Sequence, residues 1–454
     1  MMSVTYSQIQ NRILQTIKAA LQSEVVTPLL LLFGFICWLF SLTTLLLYVY
    51  VLVFVLSLIL LDDVKNIFSM VFFVAFFIKD IFDSSVWDLY LPIIGCGAIT
   101  LVCFLVRSFL LGKGKLKKGQ MFVSLMVAGV ALLLGGLERF DIQVFGVTLG
   151  LFVSTYVLYF ISVNFTKYLK KYLANLFICG ALILSLQVLF MDVGYLLKLA
   201  EKPLLQILYV GAQNINVVST YLLVGIACCF YKGLRKHTDV LYAAMGVVLV
   251  MIVFQADCRT AKLLSVLLLL VELVVMLIVS PNKILLGAVV VGAVTISLVL
   301  LIPVLPNDFK ILEDIFAGDE GANGRAILWP WCINKFIEYP IFGYGFVASE
   351  YVPTTQENYM DIVMAHNTLL QWLTSLGIMG TLLMGYFYLK KYAILFRKLT
   401  IEKFSFILAV IIIALTGLMD QAPAMDFFVF FMPLCFVAAI EKEERKIEPH
   451  KLIK

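Results

Sequence analysis

The sequence predicts an all-α polytopic membrane protein of about fourteen spanning helices with one large extracytoplasmic loop, and three observations predict it. Of 454 residues, 62% are hydrophobic and only 14% charged, where soluble domains hold about 45–50% and about 25%. The mean hydropathy is +1.02. Apolar runs of spanning length follow one another with little between them, at roughly 20 residues per helix. A water-soluble enzyme is therefore excluded, and no room is left for a large soluble domain.

The chain opens with a polar stretch carrying Arg12 and Lys18 and no secretory signal, so the first apolar run, 27–41, is expected to serve as its own export signal. Runs at 44–61, 64–78, 91–111, 120–136, 144–163, 172–191, 217–231, 240–256, 262–280 and 283–305 complete a block of helices over 1–305. Segment 306–365 is the single long loop. Three more helices, 366–389, 404–419 and 424–440, fill 366–440, and 441–454 is a tail.

With the N-terminus cytoplasmic, 25 of the 34 lysines and arginines fall inside and 9 outside; the reverse orientation would break the positive-inside rule. Both termini are thus expected in the cytoplasm and 306–365 outside. A loop beyond about 15 residues is functional or disordered. This one is rich in aromatic residues and not of low complexity, so it is expected to fold. No repeat of fixed period is visible, which leaves an inverted-repeat transporter without support.

Nine cysteines are scattered with no C-x-x-C pair, against a metal or disulfide framework. Cys258 and Cys332 fall on the same side, where a disulfide between them is open. There is no carboxylate-rich cage and no D-x-D spacing, and the adjoining Asp319 and Glu320 read as solvated charge. No metal and no cofactor is expected.

Ionisable residues in spanning segments are rare and ask for a reason. Glu272 is the clearest inside a helix; an internal hydrogen-bond partner and a coupling role are both open. The outer side is richer. Arg259 and Lys262 stand where the helix at 262–280 begins, and Arg325 lies in the long loop. A single arginine there reads as a guanidinium snorkelling to lipid phosphate. Two guanidiniums can clamp a phosphate or diphosphate, and an outward helix N-terminus beside Arg259 favours the same anion. His366 is the only histidine expected on the outer face. It opens the helix at 366–389, where the dipole favours a neutral imidazole able to accept a proton; a capping role is the plainer alternative. Chemistry on a lipid-linked pyrophosphate is the inference.

At these residues the sequence resembles the O-antigen ligase and O-antigen polymerase family of bacterial membrane glycosyltransferases. Asn214-Ile215-Asn216 with Tyr221-Leu222 looks like the family's Asn-x-Asn element leading into a helix. Cys258-Arg259 stands where the family has Ser-Arg. Gly324-Arg325 with Trp329, then Pro340-Ile341-Phe342-Gly343-Tyr344-Gly345-Phe346, resembles the arginine and Pro-x-x-Gly-x-Gly parts of its large loop. His366-Asn367 with Leu370-Gln371 and Gly377-Ile378-Met379-Gly380 resembles its His-Asn element and following glycines. The matches cover about 214–380. Cys258 for serine, and Thr260-Ala261-Lys262 where a small residue often follows the arginine, are departures.

The resemblance implies a GT-C-like helical fold in the bacterial inner membrane and metal-independent, inverting transfer of glycan from an undecaprenyl-pyrophosphate-linked oligosaccharide to a sugar hydroxyl. It implies that Arg259 and Arg325 hold the leaving pyrophosphate and that His366 acts on the acceptor hydroxyl. Lys262, Asn216, Trp329, Tyr344 and Asn367 are the expected substrate-binding residues. The Gly343 and Gly345 pair is expected to let the loop turn tightly. A polymerase joining lipid-linked repeat units, with a chain-length regulator as a candidate partner beside the bilayer itself, is favoured over a ligase acting on lipid A-core. From another class, a flippase of lipid-linked oligosaccharide would need cations along a central path, whereas these stay at the outer edge.

Overall fold

A computed structural model describes residues 2–78, 98–99, 101–102, 105–108, 117–135, 142–196, 209–210, 213–234, 238–256, 258–301, 325–345, 365–419 and 427–447. The helices are α1 (Met2–Gln22), α2 (Val26–Leu39), α3 (Thr43–Leu60), α4 (Ile67–Phe77), α5 (Phe122–Leu134), α6 (Ile142–Asn164) and α7 (Leu169–Leu196). A two-residue hairpin, β1 (Tyr209–Val210) and β2 (Gln213–Asn214), leads into α8 (Ile215–Gly233). There follow α9 (Asp239–Gln255), α10 (Arg259–Val279), α11 (Lys283–Leu301), α12 (Arg325–Glu338), α13 (Thr368–Phe396), α14 (Ile401–Met419) and α15 (Phe427–Ile447).

Every apolar segment expected from the sequence coincides with one of these helices except 91–111, most of which lies outside the described residues. Against the fourteen spans expected, six described helices are long and apolar enough to cross a membrane by length and composition: α3, most of α7, α8, α10, α13 and most of α14. Shorter apolar helices, α4, α5 and α9 among them, pack between these. Two helices depart from expectation. α1 occupies the stretch read only as polar, and α12 lies within the expected loop.

The centre of the bundle is α8, 83% buried and packed by α7, α9, α10 and α14. In lipid, burying a leucine gains little over leaving it among acyl chains, so close approach through small residues and interlocking rings carries the packing. Gly225 of α8 shows it: a Cβ there would come within 2.5 Å of the Ala181 Cβ on α7. Gly180 of α7 is filled the same way by the Phe73 ring, 1.9 Å from where its Cβ would sit. Phe73 and Phe76 of α4 meet Tyr221 of α8 edge-on at 5.3 and 4.7 Å, the geometry that ring quadrupoles favour.

The segments expected inside the cell meet one another at one end of the bundle. Val64 N–H donates to the Phe165 carbonyl at 2.9 Å, and Lys167 N–H to Asp63 at 3.0 Å. Tyr159 Oη and the Gln120 N–H both donate to Glu441 at 2.9 Å, which pins α15 to α6. Asn282 Nδ2 donates to Asp239 at 3.0 Å, joining the starts of α9 and α11. The Lys171 ammonium pairs with Glu24 at 2.9 Å; being well exposed, that pair adds little stability. Its lysine partner holds the Glu24 carboxyl below the usual range. Segments expected outside, around Gly135, Gly345, Ala365 and Leu418, meet at the other end.

Candidate functional site

The site is built on α12 and the start of α13. Asn367 is the N-cap of α13, its Oδ1 accepting from the Leu370 N–H at 2.9 Å. Its Nδ2 donates to the Leu418 carbonyl at 2.8 Å, tying α13 to the end of α14. His366 therefore stands one residue outside the helix and is not its cap. It holds φ 48°, a left-handed conformation uncommon for a non-glycine residue but several-fold enriched for histidine. Such strain persists where neighbours over-determine it.

The neighbours do so through Ala365, which is buried and held from both sides. Its N–H donates to Gln371 Oε1 at 2.9 Å, and its carbonyl accepts from Trp329 Nε1 at 2.8 Å. Gln371 is fixed in turn, its Nε2 donating to Ser375 Oγ at 2.8 Å one turn further along α13. Clamped Ala365 on one side and capped Asn367 on the other leave the His366 backbone one conformation.

α12 is locked to α13 by a second device. Gly377 breaks α13 with φ 62° and ψ −166°, which frees carbonyls before the break and N–H groups after it. The turn at 340–345 satisfies them. Tyr344 N–H donates to the Thr374 carbonyl at 2.7 Å and Gly345 N–H to that of Ser375 at 3.2 Å; Ile378 N–H donates to the Pro340 carbonyl at 2.8 Å and Met379 N–H to that of Ile341 at 3.1 Å. Thr374 Oγ1 adds a bond to the Cys332 carbonyl at 3.2 Å. Gly135, closing α5, packs on Ser375 and Leu376 from the other side.

Beneath this clasp lies a small core of Leu328, Cys332, Tyr344 and Ala365. Tyr344 is buried, edge-on to Trp331 at 5.7 Å, with the Lys335 ammonium 5.1 Å from its ring centre, so its ring lies inside the loop fold. Burial pushes the Cys332 thiol up to about 11, against the opposing pull of the Thr374 hydrogen bond.

Trp329, His366 and Asn367 are thus brought together. Arg325 is the first residue of α12, four residues and about 6 Å of helix rise before Trp329. Arg259 opens α10 with an exposed side chain, and Lys262 is buried one turn later. α10 and α13 both pack against α14. At the N-cap of α10, Cys258 makes no side-chain cap bond. Asn216 lies just inside α8, and its N–H donates to Oδ1 of the N-cap Asn214 at 2.8 Å. The described cysteines form no disulfide with one another, Cys258 and Cys332 included. Glu272 is buried in α10, and its Oε1 has no hydrogen-bond partner among the described residues. A cavity of about 480 Å³, lined among others by Glu24, Lys65, Lys171, Tyr172 and Asn175, lies at the opposite end and touches no candidate residue.

Sequence reasoning passed over Gln371, Thr374 and Gly377 as site-forming residues. The i, i+4 spacing of Gln371 and Ser375 on one helix face was available as a signal.

An all-helical, polytopic membrane protein whose long loop is clamped onto a broken spanning helix is the class these features define. Residues 217–385 match the family described as O-antigen ligase, over the clasp and its histidine. A Rickettsia typhi protein provisionally named a polysaccharide ligase is 33% identical over 116 residues, 22% of this chain and 29% of that protein. Similarly named proteins of Rickettsia prowazekii and Rickettsia conorii are 34% and 32% identical over 116 and 123 residues, 22% and 23% of this chain and 29% and 30% of theirs. The chain spans less than a third of the length of these relatives.

Proposed function

We propose that the chain is a membrane polysaccharide ligase, transferring a glycan from a lipid-pyrophosphate carrier to an acceptor hydroxyl at the extracytoplasmic face. The observation that carries the reading is the double hold on Ala365, which fixes His366 beside the helix that Arg325 opens. The names of the relatives favour a ligase over the polymerase expected from sequence; the two differ in acceptor and share the chemistry.

In that chemistry the acceptor oxygen attacks the anomeric carbon from the face opposite the carrier. The bond from anomeric carbon to phosphate oxygen breaks, the configuration inverts, and the hydroxyl proton passes to the His366 imidazole. Arg259 and Arg325 stabilise the pyrophosphate where charge grows, the kind of preorganised contact that counts most in a transition state. Lys262 adds positive charge near Arg259, and Trp329 positions His366 through its hydrogen bond to the Ala365 carbonyl.

The test is transfer in proteoliposomes from undecaprenyl-pyrophosphate oligosaccharide, with lipid A-core or a second lipid-linked oligosaccharide as acceptor. Product on lipid A-core that falls about 100-fold or more in His366→Ala, the usual scale for losing a general base, and vanishes in Arg325→Ala and Arg259→Ala supports the ligase. A ladder formed without lipid A-core returns the reading to polymerase. Near-normal transfer by Arg325→Ala at normal expression sinks both.

A further inference from the structure

The segment before the first apolar run was expected to be merely polar, yet it forms α1, an amphipathic helix whose Ile13, Leu14 and Ile17 are left exposed by the described residues. At 100° per residue, Ile13, Leu14, Ile17 and Leu21 fall within about a 100° arc. Asn11, Arg12, Gln15 and Gln22 lie on the other side, and Lys18 borders the arc. Leu21 packs against the core, whereas Ile13, Leu14 and Ile17 are exposed, Ile13 by 56%.

The direction of α1 is set by the protein. Its stretch Gln10–Gln22 is bent 75° from α2, and the bend is held at several points. Ser23 N–H donates to the Ala20 carbonyl at 3.2 Å, Val25 N–H to Ser23 Oγ at 3.3 Å and Val26 N–H to the Ser23 carbonyl at 3.2 Å. Asn66 Nδ2 at the start of α4 donates to the Leu21 carbonyl, and Lys171 of α7 pairs with Glu24. α2 packs against α3 and α7, both long enough to span; with the usual tilt of about 20° for helices of such a bundle, a stretch turned 75° from α2 lies nearer the membrane plane than its normal.

From these observations the geometry points to α1 as an in-plane anchor that lays its apolar arc on an anionic lipid surface at the end of the bundle opposite the clasp. Three features select lipid over other occupants. The apolar arc is continuous in sequence with α2, whose exposed Val25, Leu29, Leu32 and Ile36 recur at helical spacing along one stripe, the pattern of a lipid-facing side. Lys18 borders the arc where a long cationic side chain reaches phosphate while its stem lies on acyl chains. Both charged residues of α1, Arg12 and Lys18, are positive, and a cation near the surface adds attraction to an acidic leaflet.

The experiment places the photo-crosslinking residue p-benzoylphenylalanine at Ile13, Ile17 or Gln15 of the otherwise unaltered chain, in vesicles of phosphatidylethanolamine and phosphatidylglycerol. Adducts are read by intact-protein mass spectrometry. Lipid adducts are expected at positions 13 and 17 and at least several-fold fewer at 15. Phosphatidylglycerol should be over-represented relative to its share of the vesicle, and Arg12→Gln with Lys18→Gln should remove that excess without removing the adducts. Equal lipid labelling at 13 and 15 would overturn the proposal. So would crosslinks from position 13 to a second copy of the chain or to another part of the same chain.

Discussion

Gly343 and Gly377 occupy one another's side-chain space. A Cβ on Gly343 would lie 2.5 Å from the Gly377 amide nitrogen, and one on Gly377 would lie 2.6 Å from that of Gly343. Both hold positive φ, 80° and 62°, so neither position accepts a side chain on grounds of space or of backbone. Gly343→Ala and Gly377→Ala should each cost at least about 1–2 kcal/mol from the left-handed backbone alone, with the clash added. Because one separation relieves both clashes, the double variant should cost less than the two singles together. Thermal unfolding of the purified proteins measures this, and strict additivity would contradict the mutual contact.

Trp329→Phe keeps a ring and removes one hydrogen bond, that to the Ala365 carbonyl. About 1 kcal/mol of stability is at stake. The expected kinetic signature is a several-fold fall in kcat with the KM for the lipid-linked donor unchanged, the pattern of lost positioning. A change confined to KM would mean that the indole touches substrate instead.

Gln371→Leu preserves bulk and leaves the buried Ala365 N–H without its acceptor, at a cost of about 1–3 kcal/mol. Transfer should drop as in Trp329→Phe, because Ala365 again loses one of its two holds, here with a buried N–H left unsatisfied as well. Activity equal to or above that of the unaltered protein would show that Ala365 need not be held.

Cys258→Ser places a hydroxyl where the N-cap residue of α10 makes no side-chain capping hydrogen bond. A gain of about 0.5–1 kcal/mol follows if the serine caps, seen as a raised Tm. An unchanged Tm would mean that the local backbone does not admit the cap.

The Cys332 thiol supplies a pH test. Its folded value of about 11 stands above the ordinary 9.0, so the fold favours the protonated form. Stability from this group is fully present below pH about 9 and is lost as pH rises through about 11. Maleimide should leave Cys332 unmodified at pH 8 in the intact protein and label it once Gly343→Ala loosens the clasp. Fast labelling of the unaltered protein at that pH would argue against a buried thiol.

The spanning helices were legible because hydropathy integrates over many residues; 27–41 and 217–231 coincide with α2 and α8 nearly end to end. α1 was missed for the opposite reason, since its isoleucines are spread among glutamines and show only at helical spacing. The break in α13 is invisible to hydropathy, which runs unchanged through Leu376, Gly377 and Ile378. The docked turn is held mainly by peptide groups that every residue carries, so only the glycines announced it. His366 was picked as the one histidine expected on the outer face and Trp329 and Asn367 from motif order, and the three are adjacent in space, yet that Asn367 does the capping came from geometry.

The four peptide hydrogen bonds between the 340–345 turn and the break in α13 run in both directions, two each way. Peeling the turn away would strand donors and acceptors on both partners at once, in a place where Gly343, Tyr344 and Gly345 are buried from solvent. α12 and the first third of α13 consequently travel as one piece.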